Sequence, residues 1–206
     1  YGLARSILSG ERLALNFMQR MSGIATRTAE IVQILDGTNT QVLDTRKTTP
    51  GLRGFEKLAV SIGGGVNHRM GLYDMILLKD NHVDYAGGMT EALHKVAEYQ
   101  KNRDVALPVL PLVIETRSFQ EIEDAIAASQ KAEIVIERIL LDNFGPEKVA
   151  EAVESYGHLV TLEASGGITP ENVNEYGETG VDFVSMGYMT HSVKSLDLSL
   201  KSSPNV

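Results

Sequence analysis

Apolar and polar positions along the 206-residue chain follow two different periods. Near the start, Leu13, Phe17, Met21 and Ala25 recur at every fourth residue, while Glu11, Arg12, Gln19 and Arg20 fall off that stripe. This spacing predicts one long amphipathic helix over about residues 1–30. Short aliphatic runs follow at 41–44, 75–78, 109–114, 138–141, 160–162 and 182–185. Stretches with helical spacing separate them, at 55–61, 90–101, 118–129, 146–156 and 170–176. For the last of these, Thr169 reads as the N-cap and Pro170 as the first helical residue. Strand and helix in regular alternation is the pattern of a parallel sheet with crossover helices.

About six such units, with no dinucleotide-binding fingerprint after the first run, favour an α/β fold of open or nearly closed barrel type. About six to seven parallel strands are expected, in one domain spanning residues 1–206. The first helix has neither a strand nor a cap before it, so the chain is expected to begin inside a larger protein, with that helix leading from an absent N-terminal domain. The tail from Lys201 onward is polar and is expected to fray.

Composition removes several function classes. With no cysteine there is neither a disulfide framework, nor a thiolate metal site, nor a cysteine nucleophile. The histidines lack zinc-ligand spacing, and no Gly-x-Ser-x-Gly elbow is present. No apolar run reaches the roughly 20 residues of a membrane helix, and the expected location is the cytoplasm. A formal net charge of -8 argues against a nucleic-acid partner. Yet between Asp44 and Lys79 six Lys or Arg stand against three acids, a local balance of +3. A basic island in an acidic chain suggests a pocket for a small anion.

The candidate residues share one property: each follows directly on an aliphatic run, and in a parallel barrel the ends of the strands build the active site. Thr45, Arg46 and Lys47 follow the first run; Lys79 the second; Glu115 the third; Asp142 the fourth; Ser165, Gly166 and Gly167 the fifth; and Ser185, Met186 and Gly187 the sixth. Ser165–Gly167, opening a capped helix, would offer backbone N–H groups to a phosphate, with 185–187 as a second loop. Taken singly, each has a plainer reading. Arg46 and Lys47 read as a solvated loop pair, Glu115 and Asp142 as helix N-terminal carboxylates, and Lys79 as a surface lysine or a Schiff-base nucleophile. His68 and Arg69 read as decoration of a flexible glycine loop.

Together these segments give the chain a resemblance to the quinolinate phosphoribosyltransferases of the type II phosphoribosyltransferase family. It is carried by Gly10-Glu-Arg-Leu-Ala-Leu-Asn16, Ser22-Gly-Ile-Ala-Thr26, Asp44-Thr-Arg-Lys-Thr-Thr-Pro-Gly51, Gly63-Gly-Gly-Val-Asn-His-Arg69 and Leu78-Lys-Asp-Asn-His-Val83. Further on come Ile114-Glu-Thr-Arg117, Leu140-Leu-Asp-Asn-Phe144, Glu163-Ala-Ser-Gly-Gly-Ile168 and Val184-Ser-Met-Gly187. Val113 departs from the pattern, since many relatives carry a second acidic residue there.

The resemblance implies a barrel preceded by an α/β sandwich domain, and a homodimer or higher oligomer in which Arg12 reaches the neighbouring subunit's pocket. It implies quinolinate and phosphoribosyl pyrophosphate (PRPP) as substrates, with Mg²⁺ and no organic cofactor. Arg12, Thr45, Arg46, Lys47, His68, Arg69 and Lys79 would bind the substrates' anionic groups, and Glu115 and Asp142 would hold the metal or the ribose hydroxyls. The glycine segments would take the 5'-phosphate, and Lys47, Lys79, Glu115 and Asp142 would be the catalytic groups. Three rival readings stand beside this one: a related enzyme acting on another aromatic acid, a Schiff-base aldolase using Lys79, and a non-catalytic anion-binding module.

Overall fold

The computed structural model describes residues 2–104 and 106–201; the end of the polar tail, from 202 on, lies outside them. The helix α1 (Ala4–Ile34) is followed by β1 (Gln41–Leu43), α2 (Arg53–Ile62) and β2 (Ile76–Leu78). Next come α3 (Asp80–Ala86), α4 (Met89–Lys101), β3 (Leu112–Thr116), α5 (Phe119–Ala132) and β4 (Arg138–Asp142). The chain ends with α6 (Pro146–Tyr156), β5 (Leu162–Ser165), α7 (Val173–Gly177), β6 (Phe183–Ser185) and α8 (Tyr188–His191).

All six strands are parallel, in the order β1-β6-β5-β4-β3-β2. The sheet therefore turns from β2 round to β1 without a ladder joining the two edges. The segment through Val66 lies along the free edge of β1, where the Val66 N–H donates to the Val42 carbonyl (2.9 Å) and the Asp44 N–H to the Val66 carbonyl (3.1 Å). The expected open barrel is the fold observed.

Strand periodicity sorts each strand into two faces. Leu78, Ile114, Ile139, Leu141, Leu162, Ala164 and Val184 point to the helices and form the main hydrophobic core. The alternate positions turn to the other side, and the register aligns Leu77, Val113, Arg138, Glu163 and Phe183 across neighbouring strands or one rung apart. One step further toward the strand ends, the same face carries Lys79, Glu115, Asp142 and Ser165. Apolar residues outside and charged residues inside, at the carboxyl ends, make the barrel mouth the polar site of the molecule.

Three expectations are corrected. In α1 the buried positions are Leu15, Gly23, Ile24, Thr28 and Ile31, while Leu13 is 65% exposed. The buried stripe is set by the packing of the second half of α1 on α2, so the first half contributes little to it. The helix expected at 170–176 is only Val173–Gly177, with Asn172 as N-cap; Pro170 and Glu171 lie in a preceding turn closed by the Thr169 carbonyl accepting from Val173 (3.0 Å). The phosphate-binding argument from a capped helix at Gly167 therefore falls, because that helix is short and starts a turn too late. The triple glycine serves packing: a Cβ on Gly63 would sit 2.4 Å from the Ala25 carbonyl oxygen, and one on Gly65 2.8 Å from Thr28 Cγ2. Two short helices that the aliphatic runs did not predict, α3 and α8, follow β2 and β6.

Candidate active site

The loop after β1 is built before it is charged. Asp44, at the end of that strand, forms an ion pair with Lys57 of α2, and neither side chain is exposed. Asp44 also accepts the His68 N–H (2.8 Å), and the Lys57 ammonium donates to the His68 carbonyl (2.8 Å). Burial pushes the Asp44 carboxyl up and the Lys57 ammonium down, each opposed by the other's charge. Glu56, also buried, accepts from Thr49 N–H (3.0 Å) and Thr49 Oγ1 (2.7 Å) and pairs with Arg20 of α1 (2.8 Å). Arg53 donates to the carbonyls of Arg46 (3.4 Å) and Met70 (3.1 Å). The Thr190 hydroxyl donates to the Lys47 carbonyl (2.8 Å). The 45–49 backbone is thus tied at several points, and Arg46 and Lys47 stand on a fixed platform with their charges unspent.

A cavity of about 870 Å³ opens at the carboxyl ends of the strands. It is lined by Thr45, Arg46, Lys47, His68, Arg69 and Lys79, by Glu115 and Asp142, and by Ser165, Gly166, Gly167, Ser185 and Gly187. One of the residues expected in the chain's own cavity is not brought there, and Arg12, expected in the neighbour's, stays out of it as well. Met186 is buried in the core at 1% exposure and its N–H donates to the Leu43 carbonyl (2.9 Å), so neither its side chain nor its amide is free. Arg12 lies on the exposed first half of α1, outside the cavity of its own chain.

Within the cavity the charges are ordered. The Lys79 ammonium lies 3.3 Å from Glu115 Oε2 across β2 and β3. Asp142 accepts from Asn143 Nδ2 (2.8 Å), and Asn143 itself takes a left-handed backbone with φ 57°. Gly166 (φ 102°) and Gly167 (φ 64°) make the adjoining turn with conformations that suit glycine. A Cβ on Gly166 would come 2.2 Å from Asn143 Oδ1. Deeper in, His68 is nearly buried, and that burial, with the charges of Arg138, Lys57 and Arg69, pushes it down to about 3, so the ring is neutral.

Glu163, Asn143, Asp80, Thr169, Tyr188 and His191 also line the cavity and were given no site role from the sequence. Glu163 had a usable signal, since it precedes Ser165 by two residues and strand alternation puts both on one face. His191 had none at the level of strand ends, because it enters from the first turns after β6, four residues past Gly187.

Two carboxylates at the mouth, with their neighbours, do not form an all-protein metal cage: among the described residues no group of three or more acids or histidines converges. They do suit a Mg²⁺ that arrives with substrate oxygens, since Mg²⁺ commonly takes one or two carboxylates and fills its remaining positions from phosphates and water.

The fold and the cavity define an α/β-barrel protein with a mouth in which cations, carboxylates and a glycine turn face one another. The chain belongs to the family of the quinolinate phosphoribosyl transferase C-terminal domain, whose sequence model matches residues 24–201. It is 45% identical over 98% of its length to a rice (Oryza sativa) protein named nicotinate-nucleotide pyrophosphorylase [carboxylating], chloroplastic. It is 44% identical over 97% of its length to a Bacillus subtilis protein named probable nicotinate-nucleotide pyrophosphorylase [carboxylating]. It covers 55% of the first and 65% of the second, so it spans roughly half to two thirds of the length of these relatives. The crystal structure of NadC from Streptococcus pyogenes shares its fold with a TM-score of 0.86 and 41% identity, covering 98% of this chain and 66% of that one.

Proposed function

We propose that this chain is the barrel part of a quinolinate phosphoribosyltransferase, which joins quinolinate to the ribose 5-phosphate of PRPP and releases pyrophosphate and carbon dioxide. The observation that carries the reading is one cavity that gathers both charges with a glycine turn: Arg46, Lys47, Arg69 and Lys79, neutral His68, the carboxylates Glu115 and Asp142, and the Ser165–Gly167 turn all line it. The family and the relatives' names support it.

The cationic groups suit a dianionic ring. Arginine forks fix a planar carboxylate by paired hydrogen bonds, which orients the pyridine and aims its nitrogen at the anomeric carbon. The Ser165–Gly167 turn and Ser185 offer backbone and hydroxyl donors to the 5'-phosphate. Glu115 and Asp142 would hold Mg²⁺ with the pyrophosphate and ribose oxygens; the ion's contribution is to neutralise the charge that builds on the departing pyrophosphate. Loss of pyrophosphate breaks the C1–O bond, and the ring nitrogen supplies the electron pair of the new C1–N bond. The adjacent carboxylate then leaves as carbon dioxide, the pair of the broken C–C bond stays on that ring carbon as an ylide stabilised by the neighbouring pyridinium charge, and this carbanion takes a proton. Lys47 and Lys79 are the cavity groups placed to stabilise that carbanion or to protonate it.

The assembly is a homodimer or a higher oligomer in which Arg12 completes the neighbour's cavity, consistent with its position outside its own. The compartment is the cytoplasm in this reading, although relatives named chloroplastic and mitochondrial show that the family is not confined there. No helix among the described residues is long and apolar enough to cross a membrane.

The deciding assay supplies quinolinate, PRPP and Mg²⁺ to the full-length protein and measures carbon dioxide and nicotinate mononucleotide, with nicotinate as the control substrate. Product from quinolinate alone is the expected result. Product from neither substrate overturns the assignment in favour of another aromatic acid or of an anion-binding module.

A further inference from the structure

At the base of the cavity, Glu163 and Arg138 form a charged pair beside His68 that has no part in the proposed reaction. Glu163 of β5 has no exposed surface, and neither of its oxygens has a hydrogen bond of acceptable geometry. Its Oε2 nevertheless lies 2.8 Å from Arg138 Nε, and the Arg138 guanidinium is stacked 4.7 Å from the centre of the Phe183 ring. The same Oε2 is 3.6 Å from His68 Nε2. On its other edge, His68 Nδ1 accepts the Arg69 N–H at 2.7 Å. In the neutral ring one nitrogen accepts and the other carries the proton, so the proton of His68 sits on Nε2, on the edge that meets Glu163 and the cavity.

We infer that Glu163, braced by Arg138, is a positioning residue that turns the His68 ring so that its Nε2–H faces the anion pocket as a fixed, uncharged donor. At 3.6 Å the contact is too long to consume the proton in a hydrogen bond, yet close enough for a carboxylate to orient the N–H dipole. Burial pushes the Glu163 carboxyl up, opposed by the Arg138 charge and the Ser185 hydroxyl, and with Arg138 beside it an anionic ligand can approach the same spot without meeting net negative charge. The stack on Phe183 limits the movement of Arg138, and Arg138 in turn limits Glu163. A buried acid without good hydrogen bonds is costly, and its placement behind a ligand-facing histidine gives that cost a function.

The role rests on the reading of the cavity as a site for a dicarboxylate, and the test separates the two. In full-length protein with ¹⁵N-labelled histidine, His68 is assigned by comparison with H68Q, and binding of benzene-1,2-dicarboxylate is measured by calorimetry. The wild type is expected to show one ring form, protonated at Nε2. E163Q is expected to lose the sharp Nε2–H signal and to bind the dianion about tenfold more weakly, and E163Q/H68Q to bind no more weakly than H68Q. An unchanged ring signal in E163Q, or losses that add in the double variant, overturns the role. If E163Q does not fold because it strands the Arg138 charge, the charge-neutral R138Q/E163Q carries the same expectations. Absence of quinolinate turnover in the wild type, with the ring signal responding as expected, overturns the proposed reaction and leaves the positioning intact.

Discussion

Lys57 and Asp44 form an ion pair with neither side chain exposed, and both also hold the backbone of His68 from behind the cavity. Removing one partner strands the other as a buried, uncompensated charge, which typically costs about 3–5 kcal/mol. Lys57→Met should therefore lower unfolding stability by about that amount in urea titration. Asp44→Asn in the same chain should recover part of the loss, because the remaining group is then neutral. Stability of K57M equal to wild type would mean that the pair does not organise the mouth.

Gly166 faces Asn143 at a distance that excludes any side chain. Its φ of 102° and a 2.2 Å approach to Asn143 Oδ1 mean that Gly166→Ala must both strain the backbone and displace the amide. The strain alone is of the order of 1–3 kcal/mol. Because Asn143 donates to Asp142, the displacement should reach the carboxylate and raise the KM for PRPP more than that for quinolinate. Gly145→Ala is the control: its φ is -72°, and a Cβ there meets nothing within 4 Å. Equal behaviour of the two variants would remove the role assigned to the turn.

How far these features were legible in the sequence depends on the distance over which each is determined. Strand ends are local, so the alternation of aliphatic runs and helices placed Lys79, Glu115, Asp142 and Ser165 at one mouth without any tertiary information. Register is not local. The pairing of Glu163 with Arg138 follows from which rungs of β4 and β5 lie side by side, and the sequence shows only two charged residues in different aliphatic surroundings. The first half of α1 reads as a clean stripe through Leu13, yet burial there depends on what α2 covers, and Leu13 stays exposed. The sequence Thr169-Pro170 has ordinary helix-start chemistry, but Asn172 captures the Thr169 N–H (2.8 Å) and the helix begins only at Val173. Local signals competed there, and the side chain able to close the turn won.

His68 gives stability a pH dependence of known sign. Its ordinary value of 6.5 is pushed down to about 3 in the folded protein, by burial first and then by Arg138, Lys57 and Arg69, with Asp74 opposing. Between those values the unfolded chain binds a proton that the folded chain does not, so the contribution of His68 is fully present above about pH 6.5 and is lost as the pH falls toward 3. The slope is about 1.4 kcal/mol per pH unit where the difference is complete. The stability difference between wild type and His68→Gln, followed by urea unfolding from pH 7 to pH 4, should therefore shift in favour of the variant as the pH falls. A difference independent of pH would mean that the folded ring titrates normally.

Lys47 and Lys79 are both set against the cavity, but their surroundings divide the work. Lys79 is engaged with Glu115 at 3.3 Å, so part of its charge is spent on a carboxylate assigned to the PRPP side. Among the described residues Lys47 has no carboxylate within salt-bridge reach; its backbone N–H donates to Thr45 Oγ1 (3.1 Å), and its chain passes close to Gly187, where an added Cβ would meet Lys47 Cδ at 3.0 Å. A free ammonium on a pinned backbone is the better group to meet charge that appears only during reaction, since stabilisation confined to the transition state raises turnover without tightening the ground state. Lys47→Ala should accordingly lower kcat by about 100-fold or more while leaving quinolinate affinity within a few-fold. Lys79→Ala should raise the KM for PRPP as well, because Glu115 loses its partner. Steady-state kinetics of both variants, with affinity taken from calorimetry, decides the assignment: a K47A enzyme with wild-type kcat and weakened quinolinate binding would make Lys47 a binding residue and move the carbanion to Lys79.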